Sequence, residues 1–265
     1  MVQLAGLLLH RRPSPIGATG DYNSEEIIEV PMQRSGLITT FLAALLAMAV
    51  PAAAATSYQE GEHYERLPIP VDTREPSKVE VVEVFSYGCI HCKTFQPSVD
   101  AWREEIPEHV DFYRMPATFN QSWEALAQLF YAVEALGITD RVHWPIFEAI
   151  HEGGENLTDP DLMAGLIERE AGIEPERFHQ VFKSFSVRSR VQQAHARGLA
   201  YRLSGTPTMI VDGRYRVDGR MAGGNAEMLN VVDYLVAQRH AGESEEAADP
   251  ASTRSGPEGG SVGTR

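Results

Sequence analysis

Read in order, the sequence predicts an α/β domain that carries an inserted helical lobe. Three observations lead there. A short β-branched run, Val79 to Phe85 (VEVVEVF), is followed by a helical pattern and a second strand, Val110 to Met115. From Ser122 to about Leu203 the periodicity is helical throughout. The chain then returns to strand at Met209-Ile210-Val211, turns at Asp212-Gly213 and continues as Tyr215-Arg216-Val217.

Each element has its own reason. Val79–Phe85 is nearly continuous in apolar character, as a strand buried on both faces must be. Cys89 to Glu105 reads as a helix, interrupted around Pro97, and Val110–Met115 as the strand that completes a right-handed βαβ unit on a parallel sheet. In the helical block, Ala125, Leu126, Leu129, Phe130, Val133 and Leu136 follow a 3.6-residue period, which Gly137 ends. Thr158 to Ala171 and Pro175 to Phe185 continue it. Asp-Gly is a strong two-residue hairpin signal. A last amphipathic helix runs from about Ala226 to Arg239. The tail, residues 241–265, is rich in Gly, Ser, Glu and Ala without apolar period, and is expected to be disordered.

The chain has 265 residues, 43% hydrophobic and 23% charged. This is ordinary globular composition, enough for one well-packed core and two lobes. Its net charge is -14, of which residues 1–55, with three arginines and four acidic residues, contribute -1. An acidic body of this kind argues against nucleic acid and anionic membrane surfaces as partners.

Leu37 to Val50 is uncharged, preceded by Arg34 and followed by Pro51 and four alanines. That run is short for a membrane span and fits the apolar region of a secretory signal peptide, with cleavage after Ala54 or Ala55. Asp21, Glu25, Glu26 and Glu29 do not belong in a signal peptide. Met32 therefore reads as the natural start, residues 32–55 as the signal, and residues 1–31 as an upstream extension from a misassigned start. The folded body divides into 56–121, a helical insertion at 122–190, and 191–240.

The chemistry centres on Phe85-Ser86-Tyr87-Gly88-Cys89-Ile90-His91-Cys92. Only 2 cysteines are present, three positions apart. That excludes a scaffold stapled by several disulfides and a four-cysteine zinc site. A redox pair, half of a mixed cysteine–histidine zinc site, or a chance local pair remain. Cysteines at i and i+3 on a first helical turn lie about 5–6 Å apart on one face, which suits a disulfide. Cys89 would sit at the helix N-terminus, where free N–H groups and the helix dipole favour a thiolate, and His91 would add a positive charge when protonated. C-x-x-C after a strand in a βαβ pattern is a thioredoxin-like redox signature. By strict alternation Glu83 shares a face with Val79, Val81 and Phe85, so its carboxylate is expected to be buried and its pKa raised. The remaining histidines, including His143, His151, His179 and His195, are scattered through the helical block and read as surface residues rather than ligands.

Two segments together resemble the DsbA family. Glu83 to Cys92 is similar to that family's active-site segment. Gly205-Thr206-Pro207-Thr208-Met209-Ile210-Val211-Asp212-Gly213 is similar to its cis-proline loop and following hairpin. The resemblance spans about Tyr58 to Arg239 and implies a thioredoxin fold with an inserted α-helical domain, in the periplasm. It implies a protein disulfide oxidant with Cys89 and Cys92 as the redox-active pair and no cofactor or metal. It also implies a cis bond at Pro207, substrate binding at Thr206 and Pro207, and a basic partner for Glu83, matched by Arg114 at ungapped spacing from Val110. Glu83 would then pass a proton to and from Cys92; the alternative is a purely structural ion pair. The implied partners are reduced exported clients, docking on apolar surface around the cysteine loop, and a membrane quinone-linked reoxidant of the DsbB type, with the chain a monomer. The dipeptide between the cysteines departs from the family's usual Pro-His: Ile90 stands in the first position and does not fix the backbone as Pro does. The rival readings are an isomerase or reductant of the same fold, and a non-enzymatic chaperone or zinc-binding protein.

Overall fold

The computed structural model describes residues 57–248. The expected signal peptide, the expected upstream extension and residues 249–265 lie outside the described residues. The described part belongs to one compact unit, Thr56–Arg265. Its strands are β1 (Glu65–Arg66), β2 (Val79–Phe85), β3 (Val110–Pro116), β4 (Thr208–Val211) and β5 (Tyr215–Asp218). The helices are α1 (Ile90–Glu105), α2 (Gln121–Ala135), α3 (Thr139–His151), α4 (Pro160–Ala171), α5 (Pro175–Phe182), α6 (Phe185–Ala200), α7 (Gly219–Ala222) and α8 (Asn225–Ala248).

The five strands form one sheet in the order β1-β5-β4-β2-β3. Only β2 and β3 are parallel, joined through α1 as the βαβ reading requires; β4 runs antiparallel to β2, and β5 to β4. So the sheet is mixed rather than parallel. Every residue of β2 is buried, including Glu80 and Glu83. The expectation that Glu83 lies on the more apolar face needs adjustment, because helices cover both faces. Val79 and Val81 pack with α1 and α8. Val82, Val84 and Phe85 pack with the helical lobe, α2 to α6.

The Asp212-Gly213 turn has positive φ at both positions, 52° and 57°, as the type I′ hairpin demands. A side chain at Gly213 would also stand 1.9 Å from the Val71 carbonyl oxygen, so no other residue fits there.

Several boundaries differ from the sequence reading. α1 passes through Pro97 without a break, because one proline removes only one backbone donor and the helix is held by its buried face. The division expected between residues 190 and 191 falls inside α6, whose Val187, Val191 and Ala194 pack in the core of the helical lobe. α8 runs on to Ala248 rather than ending near Arg239, so residues 241–248 are helical. Glu and Ala, both good helix formers, dominate that stretch, and no proline interrupts it before Pro250. β1 and α7 were not foreseen: β1 is two residues long and exists through its pairing with β5. Among the described residues, no helix is long and apolar enough to cross a membrane.

Candidate active site

The end of β2 delivers the chain into a tight loop. Cys89 N–H donates to the Ser86 carbonyl at 3.0 Å, and Gly88 N–H to Ser86 Oγ at 3.2 Å. Gly88 is close-packed: a side chain there would meet Leu126 and the Trp123 indole nitrogen at 3.2 Å. Cys89 is the N-cap of α1. Its carbonyl accepts from Cys92 and Lys93, and its Sγ accepts from the Cys92 N–H at 3.4 Å. The cap role is one that Ser, Thr, Asp or Asn usually fills, and it aims unsatisfied N–H groups at the sulfur. Both thiols are free, Cys89 at the edge of exposure (9%) and Cys92 fully buried.

The two thiols are pushed in opposite directions. The Cys92 thiol beside it is the main influence lowering Cys89, to about 5, with help from Thr206 and from the N–H groups of Cys92 and His91, against the opposing effect of burial. Burial raises Cys92 above the ordinary thiol range, and the neighbouring Cys89 raises it further. His91 acts on Cys89 through its backbone N–H; its ring is exposed.

The Thr206–Pro207 bond is cis. The Thr206 carbonyl lies 3.5 Å from Cys89 Sγ, and the Thr206 hydroxyl is buried without an oxygen or nitrogen partner. Beside this loop runs a groove of about 380 Å³ lined by His91, Ser204, Thr206, Pro207, Asp218, Arg220 and Asn225, among others. Polar side chains, Asp218, Arg220 and Asn225 among them, share its lining with Pro207. The unforeseen α7 and the start of α8 supply Arg220 and Asn225 there. Apolar exposure at the loop itself comes from Ile90 (51%).

Behind the cysteines, the parallel register sets Glu83 opposite Arg114. Arg114 Nε donates to Glu83 Oε2 at 2.9 Å, while Glu83 Oε1 is buried with no partner. Burial raises the Glu83 pKa, and Arg114 opposes it. Arg114 has a second carboxylate: its Nη2 donates to Asp100 Oδ1 at 2.7 Å. No hydrogen bond joins Glu83 directly to Cys92 among the described residues.

Asp100 begins a chain that sequence reasoning missed. Gln96 Nε2 donates to Asp100 Oδ1 at 2.8 Å. That fixes Gln96 Oε1 as an acceptor toward His143 Nε2, 2.9 Å away, so Nε2 carries the proton. His143 Nδ1 is then free to accept from the Tyr87 hydroxyl at 2.8 Å. Tyr87 stands two residues before Cys89, and its carbonyl accepts from His151 Nε2 at 2.8 Å. His143 is therefore no surface residue: it is 5% exposed, and burial, then Arg114, depress its pKa. It is drawn inward because α3 packs on α1 and Phe85 encloses its ring. His195 is exposed, while His151 and His179 are half-buried. The available signal was the i, i+4 pair Gln96 and Asp100, polar residues set along the apolar stripe Cys92, Phe95, Val99.

Comparison with known proteins finds relatives of a single family. Residues 104–236 match the DSBA-like thioredoxin domain family. The chain is 42% identical over 183 residues to the thiol:disulfide interchange protein DsbA of Azotobacter vinelandii, covering 69% of this chain and 85% of that one. With DsbA of Pseudomonas aeruginosa the identity is 38% over 205 residues, covering 77% and 97%. The crystal structure of Pseudomonas aeruginosa DsbA superposes with a TM-score of 0.68, covering 71% of this chain and 97% of that one.

Proposed function

The chain belongs to the DsbA family of thiol:disulfide interchange proteins, and we propose that Cys89 and Cys92 are the pair through which it introduces disulfide bonds into exported clients. The observation that carries this assignment is the contrast between the thiols, one capping α1 with its pKa lowered to about 5, the other buried and raised.

The chemistry follows from that contrast. A client thiolate attacks Cys89 Sγ of the oxidised pair; the Cys89–Cys92 bond breaks, and Cys92 leaves with the electron pair and takes a proton. A second client thiolate then attacks the client sulfur of the mixed disulfide. Cys89 departs as a thiolate, and the client leaves with its new disulfide. Two electrons have passed to the protein. A stabilised thiolate is a good leaving group, so a low Cys89 pKa favours release of oxidised client. Attack by Cys92 on the mixed disulfide is the reverse route and returns the client unoxidised.

In this reading Thr206, beside the cis-proline, offers its backbone to an extended client segment, in the manner of edge-strand addition. Glu83 supplies and recovers the Cys92 proton through an intervening water. His91, when protonated, adds positive charge near the Cys89 thiolate. The proposal includes export to the periplasm, a monomeric state, and reoxidation by a membrane quinone-linked partner of the DsbB type. The equilibrium of the Cys89–Cys92 pair against glutathione tests it. A pair that stays reduced at glutathione ratios that oxidise ordinary dithiols supports an oxidant; a pair more easily oxidised than glutathione makes the chain a reductant.

A further inference from the structure

We propose that Asp100 is a positioning residue for exchange: by sharing Arg114 it lets Glu83 gain and lose a proton without leaving a buried guanidinium unpaired. The inference rests on the reading of Glu83 as the group that trades a proton with Cys92.

Arg114 carries one charge and serves two carboxylates. Glu83 is fully buried and holds Arg114 Nε at 2.9 Å; the Asp100 side chain is 50% exposed and holds Nη2 at 2.7 Å. Breaking a buried pair by removing one partner is costly, because it strands the other charge. A protonated Glu83 opposite a lone Arg114 would be such a case. With Asp100 in place, Arg114 is balanced in both states of Glu83. Asp100 is the solvent-facing member of the trio, and Glu83 the buried one.

The placement of Asp100 is fixed, not incidental. Gln96 donates to the same oxygen that Arg114 uses, and Gln96 is held in turn by His143 and Tyr87. The charged groups acting on Glu83 are Arg114 from β3 and Asp100 and Arg103 from α1. β4 sets Met209 beside Glu83, and α8 faces this side of the sheet with Met228, Val231, Val232 and Leu235. Asp100 acts to raise the proton affinity of Glu83 and Arg103 to lower it.

Client attack on Cys89 breaks the disulfide, Cys92 leaves with the electron pair, and the Glu83 carboxyl gives its proton toward Cys92. Glu83 becomes a carboxylate facing Arg114. With Asn at position 100, Arg114 would hold Glu83 ionised beforehand, and the proton would be missing when Cys92 leaves.

Rapid-mixing kinetics of the oxidised protein with a cysteine-containing peptide, over about pH 4 to 8, test this in wild type, Asp100→Asn, Glu83→Gln and the double variant. Glu83→Gln should erase one inflection of the profile. Asp100→Asn should move that inflection down by about one pH unit, a tenfold change in proton affinity for loss of a neighbouring like charge. The double variant should match Glu83→Gln alone, and Asp100→Glu should restore the wild-type profile. An inflection erased by Glu83→Gln but unmoved by Asp100→Asn overturns the role of Asp100 and leaves that of Glu83 intact. An Asp100→Asn effect that persists in the Glu83→Gln background also overturns it. A profile unchanged by Glu83→Gln defeats the underlying reading of Glu83. Urea midpoints of all variants show whether the comparison is between folded proteins.

Discussion

Cys89 and Cys92 share one helical turn, and the fold treats them as different chemical groups. Cys89 caps α1, faces the Thr206 carbonyl and accepts hydrogen bonds, and its thiol is lowered to about 5. Cys92 is one turn further in and fully buried, and its thiol is raised. Sequence supplies two identical side chains; position on the helix separates them. The group stabilised as an anion is suited to leave and to be attacked, and the buried one is suited to stay protonated until the disulfide forms. A buried thiol then needs a proton acceptor nearby, and that is the role open to Glu83.

The largest effect should come from removing one member of the pair. Cys92→Ala leaves Cys89 unable to close its disulfide, so catalytic turnover with a client peptide ends. It also removes the strongest influence on Cys89, whose pKa should rise clearly above about 5. Thiol titration and turnover assays on that variant check both. An unchanged Cys89 pKa would show that the helix terminus alone creates the contrast.

Next in size is the difference between the two buried glutamates of β2. Glu80 accepts from Arg74 N–H at 2.8 Å and from Arg197 at 3.4 Å, with both oxygens engaged. Glu83 leaves one oxygen without a partner. Glu83→Gln should slow the steps in which Cys92 leaves or attacks by about a hundredfold, the usual worth of general acid–base help. It should not incur the ~3–5 kcal/mol penalty of a stranded buried charge, because Arg114 keeps Asp100. Glu80→Gln should do the reverse, costing about 2–3 kcal/mol in denaturant unfolding while exchange rates hold. If the two variants behave alike, the distinction between a satisfied and an unsatisfied carboxylate is wrong.

A smaller effect concerns stability and pH. The folded-state pKa of Cys89, about 5, lies below the unfolded thiol value of about 8.5. The thiolate therefore stabilises the reduced fold at high pH, and that contribution is lost as pH falls through about 5. Cys92, raised in the fold, enters only above the unfolded thiol value, and Glu83 is common to both redox forms to first order. Urea unfolding of reduced and oxidised protein at about pH 4.5 and 7.5 should show the reduced form gaining relative stability as pH rises. The smallest expected effect is that of His91→Ala. The backbone N–H of His91 remains in the variant, so only the contribution of the ring is lost, and the Cys89 pKa should rise modestly. No rise at all would assign the whole effect to the helix terminus and the Cys92 thiol.

Much of this was legible because it is local or fixed by register. The strand, the C-x-x-C turn and the Asp212-Gly213 hairpin are each written in fewer than ten consecutive residues. Glu83 and Arg114 could be paired on paper because parallel strands pair at constant offset. The contact of His143 with Gln96 could not be read that way, since it arises only where α3 packs on α1; the i, i+4 pair Gln96 and Asp100 marks a polar site on α1 but not what meets it. A lone histidine in a helical pattern gives no hint that a tyrosine and a glutamine will enclose it. The groove beside the cis-proline loop escaped for the same reason: Arg220 reaches it through a four-residue helix that has no periodicity to read.

The most direct test of the account is a thiolate absorbance titration of the reduced protein. A single transition near pH 5, absent in Cys89→Ser, is the predicted result, with Cys92 silent through neutral pH. A Cys89 transition at about 8.5, the value of an unperturbed thiol, would contradict it and remove the basis for reading this chain's pair as an oxidant.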